Sequence, residues 1–277
     1  MTNILYTSDF MVDEVLGGGE LNDYELCKLL ENNYSIDKVK CSKLTKEMID
    51  NKFLIVSNFV TMSPKIKNYI TNNCRYIIYE HDHKYLKNRN PGVYDNFIAP
   101  KDQIVNYDFY KNAKLVLCQS SLHKNIMERN LGINNVFNLS GNLWSKESLG
   151  LMKELSSDEK VKKYSILNSN NWHKNTQETI FYCKKKNIDF ELIGSQNYDD
   201  FLKLLSRNSH FIFLPKTPET LSRVVVEAKM MGVKVVTNKR VGATHEDWYG
   251  LDSNQILETM IAKRQEIFNK VVEVMNE

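Results

Sequence analysis

The chain contains no apolar run approaching the roughly 20 residues that a membrane-spanning helix needs. Its opening residues, MTNILYTSDF, lead into a strand pattern without the basic stretch of an export signal. The expectation is a cytoplasmic protein with no integral membrane contact. Cysteine forms no motif: Cys27, Cys41, Cys74, Cys118 and Cys183 are odd in number, scattered and without a C-x-x-C pair. This argues against a disulfide frame or a zinc site and reads as reduced core thiols. Neither charge dominates, since 37 basic and 34 acidic residues leave a net +3. Short basic clusters at 160–163 and 184–186 read as solvated helix faces and leave a polyanionic partner open without arguing for one. Internal repeats, low-complexity tracts and the dinucleotide fingerprint G-x-G-x-x-G are also missing.

What is present is the composition and length of a globular protein of two domains, with 277 residues, 42% hydrophobic and 26% charged. Short β-rich runs at 4–7, 53–56, 75–79, 115–118 and 136–139 alternate with helical patterns at 21–30, 63–72 and 122–130. Such alternation implies crossover connections and parallel sheets covered by helices. The stretch 140–163 turns polar and rich in Lys and Glu, so a domain boundary is placed near 145. Alternation then restarts with strands at 164–167 and 190–193 and helices at 176–186 and 198–207. The expected domains are 1–145 and 146–277, the second including an amphipathic terminal helix at 253–276.

Ligands of open parallel sheets bind at the carboxyl ends of the strands, which directs attention to the loops there. The stretch 211–237, FIFLPKTPETLSRVVVEAKMMGVKVVT, reads strand, loop, helix to Gly232, strand, with Glu219 at the helix entry and Glu227 eight positions on. An acidic residue in a first helical turn is ordinary, which explains Glu219 but not Glu227 beside Val224, Val225, Val226 and Ala228. After the first strand, Gly17, Gly18, Gly19 and Glu20 precede a helix, where bare N–H groups approach an anion or a sugar; a flexible turn is the plain alternative. Glu80, His81, Asp82 and His83 follow a strand. Two imidazoles on one face suit a metal, but no third ligand stands at a convincing spacing. A structural histidine, sugar contact and acid–base work stay open. The segment 84–110 is too irregular for a regular element and offers Arg89 and Tyr94 as contacts. A loop at 168–174, NSNNWHK, ends on Lys174.

The E-x7-E element at Glu219 and Glu227 resembles that of the GT4-type glycosyltransferases of GT-B fold. The Gly-Gly-x-Glu loop, the strand-end histidine and Lys174 match other parts of the same family pattern. The resemblance implies two Rossmann-like parallel-sheet α/β domains facing each other across a cleft, with the C-terminal helix packing back. It further implies His81 and Glu219 as catalytic groups, His81 being preferred over His83, and a donor site of Gly17, Gly18, Gly19, Lys174, Thr220, Leu221, Ser222, Arg223 and Glu227. Glu20, Asp82, Arg89 and Tyr94 fall on the acceptor side. Two departures stand out. An arginine expected before Lys174 is replaced by asparagine, leaving Arg223 or Lys216 to substitute, and glycines expected after Glu219 are replaced by Thr220, Leu221 and Ser222.

The implied activity is transfer of a hexose or pentose from a nucleotide sugar, a UDP-sugar, to a hydroxyl acceptor, retaining and independent of metal. No cofactor is implied beyond the nucleotide sugar as co-substrate. Compact bacteriophage enzymes that glycosylate hydroxymethylated DNA bases, acting in the host cytoplasm, are one group that fits. A saccharide or small-molecule acceptor fits equally, and the oligomeric state is open. The alternatives are a non-catalytic nucleotide-binding or regulatory protein and a sugar epimerase of GT-B shape.

Overall fold

The computed structural model describes residues 3–15 and 17–277; Met1 and Thr2 of the opening stretch read above, and Leu16, lie outside them. The chain divides into two compact units, Met1–Leu143 with Lys263–Glu277, and Trp144–Ala262.

The first unit is built on β1 (Ile4–Ser8), α1 (Gly18–Glu31), β2 (Ile36–Lys40), α2 (Lys46–Ile49), β3 (Phe53–Val56), α3 (Pro64–Asn73), β4 (Tyr76–Tyr79), α4 (Tyr107–Lys111), β5 (Leu115–Cys118), α5 (Ser121–Leu131) and β6 (Val136–Asn138). Its six strands are all parallel, in the order β2-β1-β3-β4-β5-β6. Both faces of this sheet are covered, so the central strands are continuous apolar runs rather than alternating ones. Leu5, Leu54, Val56 and Ile78 pack into one cluster while Ile4, Phe53, Ile55 and Ile77, one position out of phase, pack into another. Helix starts follow local chemistry: the Ser63 and Ser120 side chains accept from the amides of Ile66 and His123, and Pro64 occupies the first turn of α3.

The second unit contains α6 (Lys146–Ser156), β7 (Val161–Leu167), α7 (Thr176–Lys185), β8 (Phe190–Ile193), α8 (Tyr198–Arg207), β9 (Asn208–Phe213), α9 (Arg223–Met230) and β10 (Lys234–Thr237). Its four-stranded parallel sheet runs β10-β9-β7-β8. The terminal helix α10 (Ser253–Asn276), placed with the second domain in the sequence reading, is divided. Ile256, Leu257 and Met260 belong to the second unit's core, and Ile267, Val271 and Val274 to the first's. Two parallel-sheet α/β domains are thus what the strand–helix alternation indicated.

The differences are local. Strand β2 carries only Ile36 and Val39 as apolar residues because it is an edge strand half open to water, and the hydropathy pattern does not mark it. Strand β7 begins at Val161 inside the stretch read as strandless, since its first residues are exposed and carry Lys162 and Lys163. The long segment 84–110 is anchored by an antiparallel bridge between Leu86 and Ile104 and by short 3-10 turns.

Central-strand residues with no exposure carry the stability. Replacing Ile77 by alanine should cost about 2–5 kcal/mol, seen as a lower urea midpoint with an unchanged slope.

Candidate functional site

In the second unit the chain passes from β7 to β8 on one side of the sheet, while β9 and β10 lie on the other. Strand order therefore reverses between β7 and β9, the kind of position at which open parallel sheets bind ligands at the carboxyl ends of their strands. The two loops that meet there carry Lys174, after β7, and Glu219, after β9. Lys174 Nζ lies 2.9 Å from both oxygens of Glu219. Asn175, in the left-handed region at φ 60°, turns the chain from Lys174 into α7, and its amide donates to the Leu214 carbonyl at 2.8 Å, tying the two loops together.

Glu219 does not open a helix, as its place in the sequence indicated. It forms a parallel bridge with Val241, its amide donating to Arg240 (2.8 Å) and its carbonyl accepting from Gly242 (2.9 Å). Helix α9 starts only at Arg223 and stops at Met230, two residues short of the expected Gly232, with Ser222 as its N-cap residue at φ 75°. A non-glycine residue at positive φ is costly, and the backbone here takes a conformation that suits glycine.

Glu227 faces inward at 2% exposure. Trp144 Nε1–H donates to its Oε1 at 2.9 Å, the Tyr198 hydroxyl donates to the same oxygen at 2.6 Å, and Arg223 Nε lies 3.4 Å away. Arg223 also sits over the Trp144 ring, 4.5 Å from its centroid, and donates to the Tyr198 hydroxyl at 3.3 Å. Burial, and then the Glu227 charge, raise the Tyr198 hydroxyl well above its usual pKa, so it stays a donor. Of the two candidates to replace the absent arginine, Arg223 is thus drawn to Glu227, and Lys216 pairs with Glu178 at 2.7 Å. Neither stands beside Lys174 as a free clamp.

The first unit has its own reversal, between β1 and β3. There α1 begins at Gly18, three residues ahead of the expected start at 21, with Gly17 as N-cap residue and no side-chain cap, so Gly18, Gly19 and Glu20 lie in its first turn rather than before it. A β-carbon on Gly19 would lie 3.4 Å from the His81 ring, which places the glycine turn directly against that histidine. His81 is held on both ring nitrogens: Nε2 contacts Asp23 Oδ1 at 2.6 Å, and Nδ1 contacts the Gln119 side-chain amide. Asp23, a turn beyond Glu20 on α1, also accepts from Tyr6 (2.8 Å) and Ser57. Glu20 accepts from Asn58 at 3.4 Å, and burial raises its carboxyl above the usual range. A cavity of about 340 Å³ opens between the β1–α1 loop, α1 and β2, lined by Phe10, Met11, Asp13, Glu20, Asp23 and Tyr24 among others.

His83 does not share a face with His81. It is buried, its Nδ1 3.0 Å from the Tyr85 hydroxyl, and it meets His123 edge-on at 5.1 Å. Among the described residues no group of three or more His, Cys, Asp or Glu side chains could hold a metal ion. Asp82 pairs with Arg89 at 3.3 Å, and Tyr94 accepts from Asn88 at 3.0 Å, so these acceptor-side candidates bond to protein groups rather than to Glu20. Beneath them Glu80 and Lys84 form a buried ion pair, with the Tyr110 hydroxyl also donating to Glu80. Residues that the motif reading did not name are Asp23, Gln119, Trp144 and Tyr198. Asp23 follows Glu20 at helical spacing and could have been found; the others come from distant segments without a motif.

No protein-family model matches the chain, and no curated protein matches it in sequence. In three dimensions it resembles GT-B glycosyltransferases. Sucrose-phosphate synthase from Thermosynechococcus elongatus aligns over 100% of both chains with a TM-score of 0.68 at 8% identity. HepE from Anabaena, solved in complex with UDP and glucose, aligns over 100% of both with a TM-score of 0.59 at 11% identity. An alpha-glucosyltransferase solved with UDP and a 13-mer DNA containing a HMU base covers 96% of this chain and 90% of its own, with a TM-score of 0.51 at 11% identity. The fold is therefore GT-B, and among the described residues no helix is long and apolar enough to cross a membrane.

Burial pushes the His83 imidazole down to about 3, with Lys84 adding to the effect, and lowers His123 as well. The folded state thus keeps both rings neutral, whereas the unfolded chain takes up protons near pH 6.5. Stability should be full above about pH 6.5 and fall progressively as pH drops toward 3. Urea titrations across this range test it, and His83→Gln should flatten the slope.

Proposed function

We propose that the chain is a glycosyltransferase that moves a sugar from a UDP-sugar to a hydroxyl acceptor. The observation that carries this reading is the Lys174–Glu219 pair at the strand reversal of the second unit, followed by the buried Glu227 eight residues on. Each contact that holds Glu227 ends on Oε1, and Oε2 is assigned to the ribose hydroxyls. Lys174 is assigned to the diphosphate. When the donor binds, its phosphates compete with Glu219 for the ammonium group, and the released carboxylate turns to the sugar hydroxyls. As the bond from sugar to diphosphate breaks, negative charge gathers on the leaving group. The ammonium and the amides of residues 220–222 then stabilise the transition state more than the ground state. The UDP-bound GT-B structures support the choice of donor nucleotide.

The first unit is assigned to the acceptor and sugar end, through Gly17, Gly18, Gly19, Glu20 and His81. With both ring nitrogens engaged, His81 is a positioned group; acid–base work requires an incoming hydroxyl to replace Gln119 at Nδ1. The reaction is proposed as retaining and metal-independent, and no carboxylate pair is assigned as nucleophile and acid. Two acceptor classes fit, a hydroxymethylated base in DNA, as the HMU-containing DNA of one structural relative suggests, and a saccharide or small molecule. Gel shifts at two salt concentrations separate them, because phosphate contacts weaken steeply with salt.

Glu227→Gln keeps the shape of the side chain and removes its charge. UDP affinity should fall about tenfold or more, since a hydrogen bond to a charged group is worth about 1.5–3 kcal/mol. Lys174→Ala should weaken UDP binding likewise. Unchanged calorimetric affinity in both variants would remove the donor assignment.

A further inference from the structure

The cavity between the β1–α1 loop, α1 and β2 holds about 340 Å³, which falls within the roughly 300–1,000 Å³ of small-molecule sites. Part of its lining is buried and fixed. Tyr6, Asp23 and Cys27 are all closed to water, and the Asp23 carboxylate accepts from Tyr6 and Ser57 and meets the His81 ring at 2.6 Å. The cavity therefore ends on the group that holds His81. The rest of the lining is open. Phe10 and Tyr24 leave 47% and 44% of their surface in water, and Met11 and Val12 join them there. A single exposed apolar residue is ordinary, but two aromatic rings beside one cavity form a surface for a ligand to cover.

The polar groups narrow the ligand. Asp13, Glu20 and Asp23 bring carboxylates, and Lys38 is the one cation among the described lining residues. Its ammonium lies 2.6 Å from Glu31 and 5.9 Å from the centroid of the Tyr24 ring. A phosphate here meets three acidic side chains and a lysine that is already paired, whereas polyanion binding relies on cations free to neutralise phosphates. A saccharide meets a different obstacle. Each hydroxyl it buries needs a partner, but Asp23 is filled by its three contacts and Glu20 already accepts from Asn58. Burial also raises the Glu20 carboxyl above its usual range, which further suits an uncharged neighbour.

We infer that this cavity binds the acceptor, and that the acceptor is an uncharged alcohol with an apolar body of aromatic size rather than DNA or a saccharide. The inference rests on the acceptor role given to the first unit above and chooses between the classes left open there. Phe10 and Tyr24 select for the apolar body, and the acidic lining selects against phosphate. Transfer joins the anomeric carbon of the sugar to the alcohol oxygen, with UDP and the hydroxyl proton released.

Naphthylmethanol is a probe with these properties; methyl glucoside and a DNA duplex containing hydroxymethyluracil are the comparisons. Ligand-observed NMR titrates the two small molecules and gel shifts follow the duplex. Naphthylmethanol should bind about tenfold or more tighter than methyl glucoside, and Phe10→Ser and Tyr24→Ser should each weaken it about tenfold through lost apolar contact. Both positions are exposed, so the melting temperatures of the unliganded variants should match the wild type. The duplex should bind more weakly than naphthylmethanol. Tighter binding of methyl glucoside or of the duplex, no binding of naphthylmethanol, or wild-type affinity for it in both variants overturns the inference and leaves the donor reading standing. Naphthylmethanol that binds, is lost in both variants, and is never glycosylated by any UDP-sugar that itself binds overturns the acceptor role of the first unit instead.

Discussion

The contact between Lys174 and Glu219 is where the architecture of the second unit becomes chemistry. It exists because β7 and β9 are neighbours in the sheet, so that the loops after them, 45 residues apart in sequence, come together at a reversal of strand order. With both partners partly open to solvent, the pair adds little to stability. Its importance is positional. The ammonium is held by a carboxylate; in the proposed reading a phosphate displaces that carboxylate, and the same exchange frees it for a neutral hydroxylated ligand.

Glu227 is buried, a state that is unfavourable for a carboxylate unless it is paired, and Trp144, Tyr198 and Arg223 supply the pairing through one oxygen. Ser222 is strained and carries an unsatisfied hydroxyl. In the first unit Asp23 and Gln119 fix the His81 ring, and Gly19 makes room for it.

Much of this was legible in the sequence. The parallel strands at 53–56, 115–118 and 190–193 and the helices at 198–207 and 253–276 follow from unbroken β-rich runs and apolar periodicity, both of which reflect burial. Strand β2 was not legible because an edge strand keeps its polar residues. The late start of α9 was not legible either: Glu219 sits at ordinary helix-entry spacing, and only the bridge to Val241 holds it out of the helix. Glu219 and Glu227 could be named from their spacing, and Lys174 from its place in the loop after a strand. Trp144 and Tyr198, the partners of Glu227, and Gln119, the partner of His81, are single residues that the fold delivers from a distance, and no local pattern announces them.

The central claim is that the second unit holds a nucleotide sugar in a form ready for transfer. A transferase of this kind leaks, cleaving its donor slowly with water when no acceptor is present. The direct measurement is NMR of UDP-glucose and a small panel of other UDP-sugars incubated with the protein alone. Slow release of UDP and free sugar from at least one of them, lost in Glu219→Gln, is the predicted result. UDP binding without any such release across the panel would contradict it and make the chain a nucleotide-binding protein rather than an enzyme.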